Sequence, residues 1–366
     1  MDESLFDILD PPKKSTDWKW SFADYPEEKN GLKVFSTFAC GGGSTMGYKL
    51  AGCEVLGCVE IDPKINEIYV RNHHPKHNFC MDLREFNALP DDQIPKELFD
   101  LDILDGSPPC TTFSMAGDRE ESWGKKKKFR EGQAEQTLDD LSFVFIDTVR
   151  KLRPKVVIME NVEGLILGEA FSYVRRIYDE FQDTGYFVHH WLLKGEKMGV
   201  PQTRHRVFFV ACRADLEIDP SWLDMSFNYE PVTYGEIKED DLKPMRHDSV
   251  FYKVAVKATD EDKNIADTRE RTGEKPSAFQ TLYVRDDMIV PTQRAHPDLI
   301  DIKHLAYVGP KTIRNAQTFP QDYDFGAMNI SNVGYICGMS VPPVMMKRIV
   351  TRLIDQGVFD YAKVHR

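Results

Sequence analysis

Four short apolar runs, Val34 to Phe38, Val55 to Ile61, Leu101 to Leu104 and Val156 to Met159, are rich in β-branched residues and stand between stretches of helical periodicity. Runs that are apolar on both faces need cover on both faces, the mark of parallel strands flanked by helices. The alternation therefore predicts a doubly wound, mostly parallel α/β sheet. The clearest helix is expected to open at Thr137. There Thr137-Leu138-Asp139-Asp140 reads as a capping box, and Leu138, Leu141, Phe145, Val149 and Leu152 recur on one face.

At about 150 residues per domain, 366 residues suggest one large and one small domain. Residues 1–30 mix prolines, Trp18, Trp20 and charges without a period, and read as a leader packed on the surface. Residues 31–213 carry the α/β alternation, which stops after Val207-Phe208-Phe209-Val210. Residues 214–310 read as a small irregular domain, acidic and aperiodic up to about position 275. Residues 311–366 return to the first domain: Pro342-Pro343 precedes a helix with Val344, Ile349, Val350 and Leu353 apolar, and Pro343 falls in its first turn, where a missing amide is harmless.

The formal charge is 47 − 59 = −12. The whole-molecule field therefore repels polyanions, and such a partner needs a local basic surface. Lys125, Lys126, Lys127 and Lys128, with Arg130, form one, although Glu120, Glu121 and Glu131 flank it; taken alone, the run reads as a solvated loop. Seven cysteines without CxxC spacing argue against a disulfide framework or a metal ribbon. The amino-terminal residues lack the pattern of a signal peptide and no apolar run reaches membrane length, so a cytoplasmic protein is expected.

Chemistry-bearing residues gather where the strands should end. Phe38-Ala39-Cys40-Gly41-Gly42-Gly43-Ser44 follows the first strand and precedes a helix, which places backbone against a ligand. Glu60 closes the second strand, where a carboxylate can accept from both ribose hydroxyls of an adenosine-bearing cofactor. Asp82 closes the third, as an acceptor for an adenine amine or as a helix N-cap. In Asp105-Gly106-Ser107-Pro108-Pro109-Cys110 two prolines stiffen the loop presenting Cys110, a thiol at the ligand face. Glu160, at the end of Val156 to Met159, is costly to bury unless paired or protonated, so it reads as a proton donor or as half of an ion pair. In Gln202-Thr203-Arg204-His205-Arg206 strand alternation puts Arg204 and Arg206 on one face, arranged to grip a carboxylate or phosphate.

The order of these motifs, with Phe319-Pro320, Tyr323 and Gly338-Met339-Ser340-Val341-Pro342-Pro343, resembles the DNA (cytosine-5)-methyltransferase family from about residue 33 to 356. The resemblance implies a Rossmann-like fold of the S-adenosylmethionine-dependent methyltransferase type, with residues 214–310 as a target-recognition domain. It implies that S-adenosylmethionine is held by Phe38, Cys40, Gly41, Gly42, Gly43, Glu60, Ile61, Asp82, Leu83, Pro109 and Ser340. It further implies that a cytosine is flipped from duplex DNA and that Cys110 attacks its C6. Glu160, Arg204 and Arg206 complete the catalytic set, and Ser107, Pro108, Asn161, Val162, Gln202 and the four lysines contact DNA or the base. No metal is implied. A monomer on DNA is expected, with a cognate restriction endonuclease as a possible companion. The chain departs from the family pattern at Ser36, usually acidic, at Cys40, usually glycine, at Thr111, commonly glutamine, and at Met339, normally asparagine. Met339 cannot supply amide hydrogen bonds, so altered contacts at the cofactor's methionine end are expected. Against an RNA substrate, this chain lacks the Cys-Phe-Thr tripeptide of the family's RNA-acting branch; a non-enzymatic partner leaves the catalytic set unexplained, and a Rossmann oxidoreductase leaves Pro109-Cys110 and Glu160-Asn161-Val162 unexplained.

Overall fold

A computed structural model describes residues 11–109, 126–127, 136–137, 141–167 and 171–360. The chain forms two compact units: Ala23–Lys194, His205–Phe227 and Met345–Arg366 make the larger, and Met1–Phe22, Gly195–Arg204 and Asn228–Val344 the smaller.

The larger unit is built on a seven-stranded sheet. Its strands are β1 (Lys33–Thr37), β2 (Glu54–Val59), β3 (His77–Phe79), β4 (Ile103–Gly106), β7 (Val156–Val162), β8 (Tyr186–Lys194) and β10 (His205–Arg213); β5 (Lys126–Lys127) and β6 (Gln136–Thr137) pair separately, and β9 (Gln202–Thr203) belongs to the smaller unit. The order is β3-β2-β1-β4-β7-β10-β8. All neighbours are parallel except β10, which runs antiparallel to both β7 and β8. Helices α1 (Gly43–Leu50), α2 (Pro63–His73), α3 (Leu83–Ala88), α4 (Leu141–Leu152) and α5 (Phe171–Asp183) connect the strands.

Alternation along the strands sorts the two faces. Phe35, Leu104, Val157, Met159, Val207 and Phe209 enter the main core with Phe145, Val149 and Leu152 of α4. Ser36, Asp105 and Ile158 are register partners on the opposite face. Strand order reverses beside β1, between β2 and β4, and an open α/β sheet leaves its crevice at that switch point, outside the carboxyl ends of the strands.

In the smaller unit β11 (Lys243–Pro244), β15 (Ala306–Tyr307), β14 (Leu299–Asp301) and β12 (Leu282–Val284) form a sheet in that order, and β13 (Val290–Pro291) pairs with β9. Met245, Val254, Ile265, Tyr283 and Ile300 form a core between this sheet and short helices. Residues 11–22 of the leader join this unit, where the Trp20 indole is buried and donates to the Thr318 carbonyl at 2.8 Å, while residues 23–30 go with the larger one.

Three expectations change. The helix anticipated at Thr137 starts at Leu141, because Thr137 pairs with Lys126 in the β5-β6 ladder; the apolar face from Leu141 to Leu152 is as read. Lys126 and Lys127 therefore lie in that ladder, while Lys125 and Lys128 fall outside the described residues. The contacts also group the chain differently from the continuous segments drawn above: 195–204 and 311–344 go with the smaller unit, and only 345–366 returns to the larger. Val344, Ile349, Val350 and Leu353 of the helix Pro343–Asp355 are all buried. No helix of the described residues is long and apolar enough to cross a membrane.

Candidate active site

The turn after β1 is a bent backbone held from two sides. Phe38 (φ 53°) and Cys40 (φ 45°) are left-handed without being glycine, and Gly42 (φ 80°) follows. Left-handed non-glycine residues cost on the order of 1 kcal/mol each, so neighbours must impose the shape. The buried Glu60 carboxylate does so from β2, accepting the Cys40 N–H at 2.8 Å and the Asp62 N–H at 2.9 Å. Burial pushes the Glu60 carboxyl above the usual range, and the two amides oppose that shift. Asp62 caps α2 through the amides of Lys64 and Ile65.

His73, at the far end of α2, supports the turn from below, with Nε2 at 3.0 Å from the Gly41 carbonyl. A Cβ on Gly42 would lie 2.1 Å from that nitrogen, so the position tolerates only glycine. Burial, reinforced by the Lys49 cation, pulls the His73 pKa down to about 3. A depressed pKa contributes stability that is complete above the unfolded value near 6.5 and is lost as pH falls toward 3. His73→Gln is therefore expected to be less stable than the wild type at pH 7.5, with the gap narrowing by pH 4.5. Urea midpoints at the two pH values measure this; a constant gap would contradict it.

Asp82 is the N-cap of α3, accepting the Arg84 N–H at 2.8 Å on one oxygen and the Arg84 guanidinium at 3.4 Å on the other. The Leu83 side chain is buried in the main core, which leaves only its backbone to meet a ligand. Ile61 is half-buried at the rim.

On the other side of the switch point, β4 runs through Asp105 and Gly106 into Ser107, Pro108 and Pro109. Pro108 is buried, and Ser107 and Pro109 are half-buried. The Asn161 amide donates to the Pro108 carbonyl at 3.3 Å and accepts the Val162 N–H at 2.8 Å, so Asn161 holds this loop. Cys110 lies outside the described residues. A Cβ on Gly106 would sit 2.4 Å from the Phe145 ring and 2.7 Å from Thr37 Oγ1. Gly106→Ala is expected to lose about 1–3 kcal/mol by overpacking, seen as a lower thermal midpoint; an unchanged midpoint would refute it.

Glu160 and Arg206 face each other diagonally across β7 and β10, since Glu160 is opposite Phe208 and Arg206 opposite Val162. The Arg206 Nε donates to Glu160 Oε1 at 2.9 Å, with side chains only 15% and 11% exposed. The ion-pair reading of Glu160 is thus the one present.

Two residues expected at the substrate are instead built into the smaller unit. Arg204 falls between β9 and β10 and is buried, its guanidinium donating to the carbonyls of Gln293 and Gly338 at 3.1 Å each. Gln202 is fully buried, donating to the Ala316 carbonyl and Gln317 at 2.7 Å. Ser340 is buried, and its hydroxyl has no hydrogen-bond partner among the described residues. Met339 is 37% exposed at the end of its helix.

The sequence reading passed over Asp105 and His73. Asp105 carried a signal, an acid inside the apolar stretch Leu101 to Leu104 and Gly106, whereas nothing marked His73, whose role depends on packing across the turn.

Comparison with known proteins follows the same line. Among solved structures, a putative DNA modification methyltransferase from an Escherichia coli prophage has a TM-score of 0.63 at 17% identity, covering 89% of this chain and 99% of that one. Spodoptera frugiperda DNMT2, as a triple mutant, has a TM-score of 0.61 at 16% identity, covering 88% and 100%. These likenesses show a shared fold, the doubly wound α/β sheet flanked by helices. In sequence, the Type II methyltransferase M.FnuDI of Fusobacterium nucleatum is 29% identical over 365 residues, covering 92% of this chain and 97% of that protein. M.HindV of Haemophilus influenzae is 34% identical over 177 residues, 48% of this chain and 51% of that protein. A model of the C-5 cytosine-specific DNA methylases matches residues 32–306, and the chain belongs to that family as a DNA (cytosine-5)-methyltransferase.

Proposed function

We propose that this enzyme methylates C5 of a cytosine flipped out of a specific duplex sequence, through a covalent bond between Cys110 and C6. The observation that carries the reading is the Glu160-Arg206 pair on β7 and β10, at the same carboxyl edge as the Pro108-Pro109 loop on neighbouring β4.

The aromatic ring makes C5 a poor nucleophile. Addition of the Cys110 thiolate to C6 moves the displaced electron pair into the ring, leaves C5 enamine-like, and calls for a proton or hydrogen bond at N3. Glu160 takes up a proton as the base enters and donates it to N3, its other oxygen accepting from the exocyclic amine, while Arg206 holds the carboxyl group in place. Loss of the C5 proton to a base then reforms the double bond and expels the thiolate.

The turn fits S-adenosylmethionine. Glu60 accepts backbone amides on both oxygens, and the carboxylate has further acceptor capacity for ribose hydroxyls. Phe38 and Gly41 to Gly43 bring backbone close, and Ile61 lines the rim. When bound, that cofactor supplies an electrophilic sulfonium methyl group. Lysines 125–128 serve as phosphate contacts, which makes binding salt-dependent. The enzyme works as a monomer on DNA, and pairing with a cognate restriction endonuclease is supported by the Type II names of the relatives.

The test is incubation of duplex DNA and of RNA with methyl-labelled S-adenosylmethionine, followed by nucleoside analysis. Label in 5-methylcytosine from DNA is expected; label only in RNA, or none, overturns the proposal.

A further inference from the structure

We propose that Asp105 is a positioning residue that locks the glycine turn and its helix to the strand carrying Ser107-Pro108-Pro109, so that the two sides of the site are set together. The inference rests on the methyl-transfer reading above.

Asp105 is 1% exposed and immediately precedes Gly106 at the end of β4. Its carboxylate gathers donors from the other side of the switch point. The Ser36 hydroxyl of β1 donates to Oδ2 at 2.6 Å, and the Tyr48 hydroxyl of α1 donates to Oδ1 at 3.1 Å. The hydroxyl of Ser44, in the first turn of α1 and directly after the glycines, is a further donor. Every one of these partners belongs to the cofactor side.

Beyond Asp105 the strand has few anchors of its own. Gly106 is held only through its backbone, paired with Thr37 and Met159, and Pro108 and Pro109 have no amide hydrogen, so the Asn161 bond to the Pro108 carbonyl is the side-chain hold on the loop among the described residues. A buried carboxylate is a costly way to pack two strands, since an apolar pair would fill the same space without desolvation. The cost is intelligible if the group sets site geometry rather than stability.

The surroundings also make the group responsive. Burial raises the Asp105 pKa to about 7; the hydroxyls of Ser36, Tyr48 and Ser44 oppose the shift, and the Glu160 carboxylate of β7 adds to it. Tyr69 of α2 also lies within electrostatic reach of Asp105, and burial keeps its phenol neutral, as it does that of Tyr48. The charge at the junction therefore changes close to neutral pH, and the alignment of the two sides changes with it.

Register partnership provides the test. Because Ser36 lies opposite Asp105, exchanging the two residues returns a carboxylate to the same cavity from the other strand. Methyl transfer to duplex DNA and S-adenosylmethionine affinity are measured from pH 5.5 to 9 for the wild type, Asp105→Asn, Asp105→Ser and the exchange Ser36→Asp/Asp105→Ser, with thermal melts alongside. Asp105→Ser is expected to lower kcat about tenfold or more while KM for DNA moves little, as misplacement of a reacting group does. The exchange should recover most of that loss, and Asp105→Asn should fold and lack the wild-type limb of the kcat profile near neutral pH. An Asp105→Asn profile superimposable on the wild type overturns the proposal, as does an exchange variant no more active than Asp105→Ser. Lower melting with unchanged kcat would make Asp105 a folding residue only. A wild type that labels no DNA fails differently: it overturns the methyl-transfer reading itself, and the role of Asp105 falls with it.

Discussion

Cys110→Ala is expected to abolish methyl transfer, with a loss of about 10⁴-fold or more in kcat, because removal of a covalent nucleophile eliminates the pathway rather than weakening one contact. Without addition at C6 the ring keeps its aromatic electrons, and C5 has no enamine character with which to take the methyl group. Duplex binding and the thermal midpoint should stay near wild type, since a single thiol contributes little to phosphate contacts or to the core. A companion observation separates nucleophile from bystander. Duplex DNA carrying a 5-fluorocytosine target should form a denaturation-resistant adduct with the wild type and none with Cys110→Ala, because fluorine at C5 blocks the elimination step. Turnover by Cys110→Ala within about tenfold of wild type would remove the covalent mechanism.

The second large effect concerns the Glu160-Arg206 pair. Glu160→Gln keeps the shape but removes the acid, and should lower kcat by about 10²–10³-fold, the loss typical when a group that stabilises developing charge is removed. Its KM for DNA should change little if Glu160 acts mainly after the base has entered. Arg206→Ala leaves a carboxylate that is only 11% exposed without its 2.9 Å partner. Breaking one side of a buried pair costs about 3–5 kcal/mol in stability, so this variant should lose melting temperature as well as kcat. Glu160→Gln should melt near the wild type, because the amide can still accept from Arg206. The double variant closes a cycle, and its coupling should exceed about 1 kcal/mol for groups in direct contact. Strict additivity would show that the two residues act independently.

Much of this arrangement is legible in the chain. Short β-branched runs can be satisfied only by burial on both faces, so the doubly wound sheet follows from Val34 to Phe38 and its counterparts. Glycine-rich sequence after the first run, Glu60 after the second and Glu160 after the last then fall at one sheet edge, because parallel strands all end on the same side. The helix start at Thr137 failed for a local reason. A threonine followed by acids suits a cap, but it also suits a strand when Lys126 is available to pair with it, and the local pattern does not choose between them.

Arginine alternation failed for a different reason. Arg204 and Arg206 have the spacing of one strand face, yet the strand is interrupted at Arg204 and the chain passes there from one unit to the other. Period-2 reasoning holds only within an unbroken strand.

What the sequence by itself determined is the set of groups and the edge at which most of them gather, since strand period, turn chemistry and motif order are properties of neighbours along the chain. Tertiary structure alone decided which groups are partners. The Asp105 carboxylate meets Ser36 and Tyr48 from 69 and 57 positions away, His73 supports a glycine turn 32 positions before it, and Gln202 is sealed among residues 114 and 115 positions distant. Pairings of that range are set by strand order and by how burial is shared among packed elements, and no local pattern in the chain encodes them.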